Sequence, residues 1–554
     1  MPSSESNSSR KKSSSGSTLI VQGAILAGAG LITKVIGFLY RIPVANILGD
    51  QGNGLYSVAF GIYNIALTLS SYSLPLAVSK LISARLAKNE YKNAWRVFLD
   101  ALLFAAVVGF AAFAVLFAGA DALSSFYAKE GLERPLRVLA PTVLVVAFLG
   151  VLRGFFQGMK NMLPTACSQI IEQIVNAIVS ILAAWQLTRV FADTADVYSY
   201  GAMGSTLGTL CGALSALAVL IVLFVLYRPK FQAEMATDES EQEENRVVFK
   251  ALLLTILPVI LSQTIYQIGY TIDDFLFGNL MQEKNIAQDV IDSMQGVFNT
   301  QYNQLINLPV AIATALASST IPNIVQFTVR GDSRGAKRQI TSVLKINMVI
   351  AIPAAVGIAV LAEPIMTLLF PRLVTYRPLA VNLLTWGSSA VVFYSLSTIT
   401  TSVLQGSNYM RIPVIHSAIS LGVHVVLVTV LLKFTDLNAY ALVIGNVTFP
   451  ILVSLLNCRS VSQKLGYRFR LGSLFGMPLA ASAVMGVSVW AIYHALYVLF
   501  SSNVVALVVS VVVGVLLYLV MILLYPCFSD QELKDLPMGM RLVRLRRKFI
   551  GERP

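Results

Sequence analysis

The chain has 554 residues, of which 56% are hydrophobic and only 12% are charged, and its formal net charge is +13. Soluble domains carry about a quarter charged residues, and no single soluble core could bury this much apolar side chain. The composition therefore excludes an ordinary soluble enzyme. The basic residues lie in short runs between apolar segments, so the positive charge indicates membrane topology and not a nucleic-acid surface.

Apolar runs long enough to cross a bilayer as helices recur along the whole chain. About twenty apolar residues span the roughly 30 Å hydrocarbon layer. The sequence predicts about fourteen transmembrane helices, near residues 19–44, 54–79, 97–119, 136–156, 164–187, 199–227, 249–272, 298–325, 341–362, 379–404, 412–432, 438–457, 472–499 and 503–526. The four cysteines show neither a metal-site spacing nor a CxxC pair, which favours free thiols.

The distribution of lysine and arginine predicts the orientation of these helices. Basic residues concentrate in the N-terminus and in every second loop, and such loops are cytoplasmic. The sequence therefore predicts that both termini are cytoplasmic. The predicted organisation is a disordered tail at 1–18, an N-lobe at 19–227, an acidic solvated linker at 228–248, a C-lobe at 249–460, a helix pair at 472–526 and a basic tail at 527–554.

An internal repeat relates the first six helices to the next six. The pattern Gln-Gly, three residues, Met and then Pro occupies residues 157–164 and 405–413. Two shorter motifs recur in the same helix order, Arg-Pro-Leu at 134–136 and 377–379 and Leu-Pro at 74–75 and 308–309. Because each copy holds an even number of helices, the two lobes should share one orientation about a pseudo-twofold axis along the membrane normal.

Charged residues inside the predicted helices are candidate site residues. A lone charge at mid-bilayer costs on the order of 3 kcal/mol, so it normally faces a protein interior or a wet cavity. Lys34 and Arg41 are seven residues apart on nearly one face of the first helix, although Arg41 could also snorkel to the outer interface. Glu172 in the fifth helix needs a partner or a proton, which makes it a candidate counter-charge or coupling site. Arg85 and Arg153 end the second and fourth helices, where they either bind ligand or anchor the chain at the cytoplasmic surface.

Polar residues at helical spacing add further candidates from the seventh and eighth helices. They are Gln263, Gln267, Asp274, Asn303 and Asn307. Such stripes either line a cavity or join helices through hydrogen bonds worth about 0.6 to 2 kcal/mol each. Cavity lining is the interpretation we adopt.

Two histidines lie in the eleventh helix, and no catalytic motif accompanies them. His416 and His424 have no third ligand beside them in the sequence, so packing or hydrogen bonding is a simpler role than metal binding. The chain has no nucleotide-binding loop, no HExxH and no nucleophile motif. The sequence therefore predicts a transporter that is not an enzyme, with no cofactor. An ion gradient, the membrane potential or the flux of substrate would drive it, and the coupling ion, Na⁺ or H⁺, stays open.

The first helix and the turn after it carry a family resemblance. Residues 33–41 and 48–56, with Gln157-Gly158, resemble the polysaccharide-transport branch of the multidrug/oligosaccharidyl-lipid/polysaccharide exporter superfamily. That branch contains stage V sporulation protein B and the lipid II flippases of the YtgP and MurJ types. The likeness covers about residues 19–525. Lys34 aligns with a functional basic residue of the MurJ type, whereas Tyr40-Arg41 stands where that type has Arg-Asp.

The resemblance implies a fold and a function. The fold would be two six-helix lobes that open alternately to each side of the bacterial cytoplasmic membrane, with a final helix pair forming a groove for a polyprenyl tail. The function would be transfer of undecaprenyl-pyrophosphate-linked peptidoglycan precursor, lipid II, to the outer leaflet. Lys34 and Arg41, with Arg85 or Arg153 closing one end, would offset the desolvation of the pyrophosphate.

Other functions remain open at this point. The nearest is a flippase for another lipid-linked polysaccharide or teichoic repeat unit, whose lipid and pyrophosphate are the same. A cation-coupled multidrug exporter would place carboxylates in the cavity, unlike Lys34 and Arg41. A scaffold for wall or spore assembly would not need charge in the first helix. The expected partners are the lipid-linked glycan, membrane lipids and the cell-wall synthesis machinery, with a monomer as the transporting unit and no nucleic acid.

Overall fold

The computed structural model of the protein describes the backbone of residues 6–71, 73–329 and 331–524. Within these ranges, the side chains not described are those of residues 6–24, 27, 257–259, 261–268, 270, 318–319, 322–323, 326, 329 and 524. The described backbone consists of helices and short connections and contains no strand. This confirms the predicted all-α architecture.

The described ranges contain eighteen α-helices, which we number in chain order. The first nine are α1 (Ser6–Ser70), α2 (Leu74–Leu86), α3 (Tyr91–Ala118), α4 (Ala120–Phe126), α5 (Glu133–Gly158), α6 (Leu163–Val190), α7 (Val197–Ala236), α8 (Asn245–Glu283) and α9 (Gln288–Gly296). The others are α10 (Asn303–Val329), α11 (Ser333–Val360), α12 (Ala362–Leu369), α13 (Arg377–Gly387), α14 (Ala390–Gly406), α15 (Arg411–Phe434), α16 (Ala439–Leu465), α17 (Met477–Phe500) and α18 (Asn503–Leu524). Short π-helical segments, Val297–Tyr302 and Gly472–Gly476, lead into α10 and α17.

The helices are long and apolar enough to make this a multi-pass membrane protein. In the part of the chain that the structure describes, ten stretches could cross a membrane, or eleven if the bent pair α13 and α14 forms one span. One of the ten, Gly28–Leu86, holds two of the predicted transmembrane helices. The predicted seventh and eighth lie on α8 and α10. The prediction of about fourteen is therefore roughly consistent with the structure.

A kink replaces the loop predicted between the first two transmembrane helices. α1 continues through this region and departs from helical geometry at Gly49, where φ is 66° and ψ is −175°. Glycine adopts this conformation readily because it has no Cβ. Asn53 Nδ2 donates to the carbonyl oxygens of Ala45 at 2.8 Å and Gly49 at 2.6 Å, which ties the two sides of the kink together. α1 also begins at Ser6, within the segment predicted as a disordered tail.

α6 and α7 pack with their backbones in close approach. Gly204, Gly208 and Gly212 repeat every four residues on one face of α7. A Cβ built on Gly208 would lie 2.5 Å from Ser180 N, and one built on Gly212 would lie 2.7 Å from Glu172 O. Small residues at this spacing are typical of transmembrane helix interfaces, where they allow backbones to meet. This close contact determines the rotation of α6, the helix that carries Glu172.

The chain divides into two compact units, residues 1–296 and 297–554. The division follows α9 and lies later in the chain than the predicted linker at 228–248. α8 therefore belongs to the first unit, although the sequence assigned this segment to the C-lobe. Polar contacts at both ends of α8 explain this placement.

The acidic segment before α8 is docked on α2 and α3. Arg85 Nε and Nη2 donate to Glu243 Oε2 at 3.2 and 2.5 Å, and Arg96 donates to the Glu243 carbonyl oxygen. The Asp238 carboxylate accepts the backbone N–H of Lys92 at 2.7 Å, in the first turn of α3. This hydrogen bond is the main cause that lowers the pKa of Asp238 below its usual value. Residues 238–243 are thus held by these bonds, where the sequence predicted a solvated linker.

The other end of α8 is fastened to the connection between α4 and α5. Asn279 Nδ2 donates to Phe126 O and Gln282 Nε2 donates to Ala128 O, both at 3.2 Å. These bonds join α8 to the first unit at the end opposite to Glu243.

A buried ion pair secures α9, which follows α8. Lys129 and Asp292 form a salt bridge in which the lysine side chain is 0% exposed and the aspartate side chain 10%. Gln288 Nε2 donates to the same carboxylate at 2.8 Å, and Gln295 Nε2 donates to Asp274 O at 2.8 Å. Because both charges are out of water, the pair holds α9 only while both partners are present.

Candidate functional site

Arg41 lies among aromatic and hydroxyl-bearing side chains of the first unit. Its guanidinium carbon is 5.4 Å from the centroid of the Phe60 ring, and the hydroxyls of Tyr40 and Tyr56 lie close to the guanidinium. Its Nε is buried and has no hydrogen-bond partner among the described residues. A buried donor without an acceptor is costly, so this N–H is available to a ligand oxygen. The Ser205 hydroxyl of α7 lies beside Tyr56.

Lys34 lies about two helical turns before Arg41 on α1, and its side chain is exposed. Among the side chains that the structure describes, no carboxylate forms an ion pair with either cation. Between them, a Cβ on Gly37 would lie 3.7 Å from Gln173 Oε1. This stretch of α1 therefore faces α6. An ammonium group on a membrane-spanning helix needs water or an anion beside it.

A polar stripe on α6 runs along this part of α1. Only one of its residues, Glu172, was among the predicted site residues. The stripe recurs every three or four residues and consists of Gln169, Glu172, Gln173, Asn176 and Ser180. Asn176 Nδ2 donates to the Tyr40 hydroxyl at 3.3 Å, and Ser180 Oγ donates to Asn176 Oδ1 at 2.9 Å. The stripe could have been predicted from the helical spacing of these polar residues within an apolar segment.

Arg153 and Glu172, two predicted site residues, form an ion pair with each other. Arg153 Nη2 donates to Glu172 Oε2 at 2.7 Å, and Arg153 Nε donates to Ser168 Oγ at 3.1 Å. The two side chains are 13% and 23% exposed. The carboxylate that needed a partner therefore has one. The charge of Arg153 is neutralised within the protein, so Arg153 is not a free cation.

Removing Arg153 should strand the Glu172 carboxylate in a mostly buried place. We expect Arg153→Ala to lower the free energy of unfolding by roughly 3 kcal/mol, because breaking one side of a buried pair leaves an uncompensated charge. The Arg153→Ala, Glu172→Ala double variant should recover most of this loss. Thermal unfolding of the purified protein in detergent measures both. A double variant as unstable as the single one would show that the ion pair is not the cause.

Arg85, Gln263, Gln267 and Asp274 were also predicted to line the site. Arg85, predicted either to bind ligand or to anchor the chain, forms an ion pair with Glu243. The side chains of Gln263 and Gln267 lie outside the described residues. Asp274 is buried in the first unit, where a Cβ on Gly61 of α1 would lie 3.7 Å from Asp274 Oδ2.

Asn303 and Asn307 belong to the second unit, on α10. Asn303 Nδ2 donates to Asn299 Oδ1 at 3.4 Å, while the Asn307 side chain is exposed. Within the first unit, the structure therefore brings Tyr40, the neighbour of Arg41, to the α6 stripe, and it brings Arg153 to Glu172. Across the described part of the chain, no group of three or more His, Cys, Asp or Glu side chains could hold a metal ion.

Two family profiles match the chain. The profile described as polysaccharide biosynthesis protein matches residues 20–328, which include most of α1, the whole of α2 to α9 and every residue named around Arg41. The profile described as MatE matches residues 258–430. Together they cover most of the chain.

Known proteins of similar length align with most of this chain. It is 26% identical over 486 residues to the lipid II flippase MurJ of Bacillus subtilis (strain 168), covering 85% of this chain and 88% of that protein. It is 24% identical over 523 residues to stage V sporulation protein B of the same strain, covering 94% and 98%. A solved structure of lipid II flippase MurJ in an inward closed conformation matches with a TM-score of 0.65 at 13% identity, over 90% of this chain and 98% of that chain. That structural likeness indicates a shared fold.

Proposed function

The chain belongs to the polysaccharide biosynthesis protein family, within the multidrug/oligosaccharidyl-lipid/polysaccharide exporter superfamily, and we propose that it flips lipid II. Its relatives are membrane transporters, and the cargo is the part that we infer. The observation that carries the inference is the pair of cations on α1. Both lie on the stretch of α1 whose Gly37 and Tyr40 meet the polar stripe of α6. Within the described side chains, neither cation has a carboxylate partner.

The chemistry of the cargo fits this arrangement. A lipid-linked glycan carries a pyrophosphate, and moving its charge into a low-dielectric layer is costly unless cations and donors replace the water. The unpartnered Nε–H of Arg41 and the ammonium of Lys34 would make charge-assisted hydrogen bonds to phosphate oxygens. The amides of Gln173 and Asn176 would lie beside the same ligand and could bind its polar head group.

We also propose an orientation and a location for the protein. We propose that the protein lies in the bacterial cytoplasmic membrane with both termini in the cytoplasm, and that it works by alternating access as a monomer beside the cell-wall synthesis machinery. The distribution of basic residues in the sequence supports this orientation. Since Arg85 and Arg153 are paired with Glu243 and Glu172, we assign the pyrophosphate to Lys34 and Arg41.

The test is complementation of a bacterium depleted of its own lipid II flippase. Wild type should restore lipid II on the outer leaflet, measured by its accessibility to an added probe. Lys34→Ala and Arg41→Ala should each reduce the restored transport by about tenfold or more, because a hydrogen bond to a charged group is worth about 1.5–3 kcal/mol.

Arg189→Ala is the matched control. Arg189 is also a cation on a membrane helix, but it lies in the last turn of α6, over the Trp185 ring at 4.2 Å from its centroid. It should leave transport unchanged. Full transport by well-expressed Lys34→Ala and Arg41→Ala variants would refute the role of the two cations. No rescue by a correctly inserted wild type would move the proposal to another lipid-linked polysaccharide or teichoic repeat unit.

A further inference from the structure

A neutral polar network containing one titratable side chain lies inside the second unit. His416 Nδ1 lies 2.8 Å from Asn457 Oδ1. Asn457 Nδ2 donates to Thr400 Oγ1 at 3.3 Å and to Thr401 Oγ1 at 3.0 Å. The network thereby joins α15, α16 and α14. His416 is half-buried, and it lies five residues after the start of α15, in a helix apolar enough to span the membrane.

The hydrogen bonds determine which nitrogen of His416 carries the proton. The single hydroxyl hydrogen of Thr400 is directed to the Leu396 carbonyl oxygen at 2.8 Å, so Thr400 Oγ1 must accept from Asn457. The amide of Asn457 then presents its oxygen to His416. Nδ1 of His416 is therefore the protonated nitrogen, and Nε2 keeps its lone pair. Ser460 Oγ lies 3.5 Å from Nε2, at the limit of a hydrogen bond.

The helices around His416 contain no acidic residue. α15 packs against α16 and α14, and none of the three sequences has an aspartate or a glutamate. The titratable groups on these helices besides His416 are Tyr394, Arg411, His424, Lys433, Tyr440, Cys458, Arg459 and Lys464. Arg411 and Arg459, the basic residues nearest in sequence to His416 and Asn457, have exposed side chains. These three helices therefore supply no carboxylate that would hold the His416 imidazole in one charge state.

The internal repeat gives this position a counterpart in the first unit. Thr401 lies four residues before the Gln405-Gly406 motif, just as Arg153 lies four residues before Gln157-Gly158. In the first unit the position carries the cation of the Arg153–Glu172 ion pair. In the second unit it carries a neutral threonine bonded to the amide that also binds His416. Equivalent positions therefore hold a fixed charge pair in one unit and a group that can change its charge in the other.

We propose that His416 is a proton-binding site and that the proton is the coupling ion of this transporter. Nε2 takes one proton from water, which forms an imidazolium, and returns it to water later in the cycle. No other bond forms or breaks. Protonation changes Nε2 from an acceptor into a donor, and it makes the Nδ1–H bond to Asn457 a charge-assisted one, which strengthens the joint between α15 and α16. The coupling part of this inference rests on the proposed function.

The first experiment tests the site without any transport. The chain has only three histidines, so the His424→Asn, His494→Asn double variant leaves His416 as the sole imidazole. Its ¹⁵N resonances, followed by NMR from about pH 5 to 8, should show the Nδ1–H tautomer at high pH and a titration to imidazolium within this range. If the double variant does not fold, the spectrum of His494→Asn minus that of His416→Asn, His494→Asn identifies the same signal. A His416 signal that does not change over this range would overturn the proposal.

The second experiment tests coupling in liposomes that contain the full chain and fluorescently labelled lipid II. An imposed pH gradient should change the rate of wild-type transport. His416→Asn, which keeps a neutral N–H donor for Asn457, should bind lipid II but lose the response to the gradient. His494→Asn, on the exposed face of α17, should keep it. A response that persists in His416→Asn would overturn proton coupling at this site. An absence of any wild-type lipid II transport would instead overturn the proposed function, while the NMR titration still decides the proton site.

Discussion

Replacing Lys129 with alanine should lower the free energy of unfolding by about 3–5 kcal/mol, because it leaves the Asp292 carboxylate buried without a counter-charge. The remaining hydrogen bond from Gln288 does not neutralise that charge. α9 should detach from the first unit before the other helices unfold. Thermal unfolding in detergent measures the loss, and faster hydrogen exchange of the α9 amides would locate it.

A surface pair of the same unit provides the matched control for Lys129. Arg137 and Asp121 form a salt bridge at 2.7 Å, but their side chains are 44% and 67% exposed. Arg137→Ala should therefore cost at most about 1 kcal/mol. The Lys129→Met, Asp292→Leu double variant should regain most of the lost stability, since apolar residues of similar volume often replace buried ion pairs without loss. If Lys129→Ala and Arg137→Ala lowered the free energy of unfolding equally, burial would not explain the effect of Lys129→Ala.

Adding one methyl group at Gly208 should have the second large effect. The new Cβ would lie 2.0 Å from Ser180 Oγ and 2.5 Å from Ser180 N, and the backbone of α6 cannot yield as a flexible side chain can. Overpacking of this kind costs about 1–3 kcal/mol or more. Because α6 carries Glu172 and Asn176, its displacement should also reduce transport. Thermal unfolding and the complementation assay measure the two effects.

Gly422 is the matched control for Gly208, because its surroundings leave room for a methyl group. It lies within α15, and a Cβ built on it would have nothing within 4 Å. Gly422→Ala should be neutral or stabilise the helix by up to about 1 kcal/mol, since alanine has the higher helix propensity. If Gly208→Ala were equally harmless, the close approach of α6 and α7 would not be a stability determinant.

Hydropathy predicted the positions of the helices well because a bilayer leaves the chain little choice. Each apolar run of about twenty residues must satisfy its backbone within a helix. Hydropathy could not predict how helices join: the kink at Gly49 depends on one backbone conformation and on two bonds from Asn53. The acidic segment at 238–243 has the same composition whether it is solvated or docked. Its docking depends on Arg85 and Arg96, which are distant in sequence.

Part of the candidate site was also predictable from the sequence. Charge within an apolar run is conspicuous, so Lys34, Arg41 and Glu172 were found from the sequence. That Glu172 needs a partner follows from electrostatics, but its pairing with Arg153 depends on how α5 and α6 pack. The neutral amides of Gln173 and Asn176 are less conspicuous. Their position beside α1 follows only from the contacts with Gly37 and Tyr40.

The attachment of α8 at both ends determines where the chain can be cut into fragments. A fragment ending in the segment 228–240 would contain Arg85 and Lys129 but neither of the carboxylates that neutralise them. A fragment ending at Gly296 would include both Glu243 and Asp292 and would leave no buried lysine without its partner. Where a protein is to be expressed as two complementary pieces, the cut therefore belongs after Gly296, two helices later than the predicted boundary of the duplicated sequence halves.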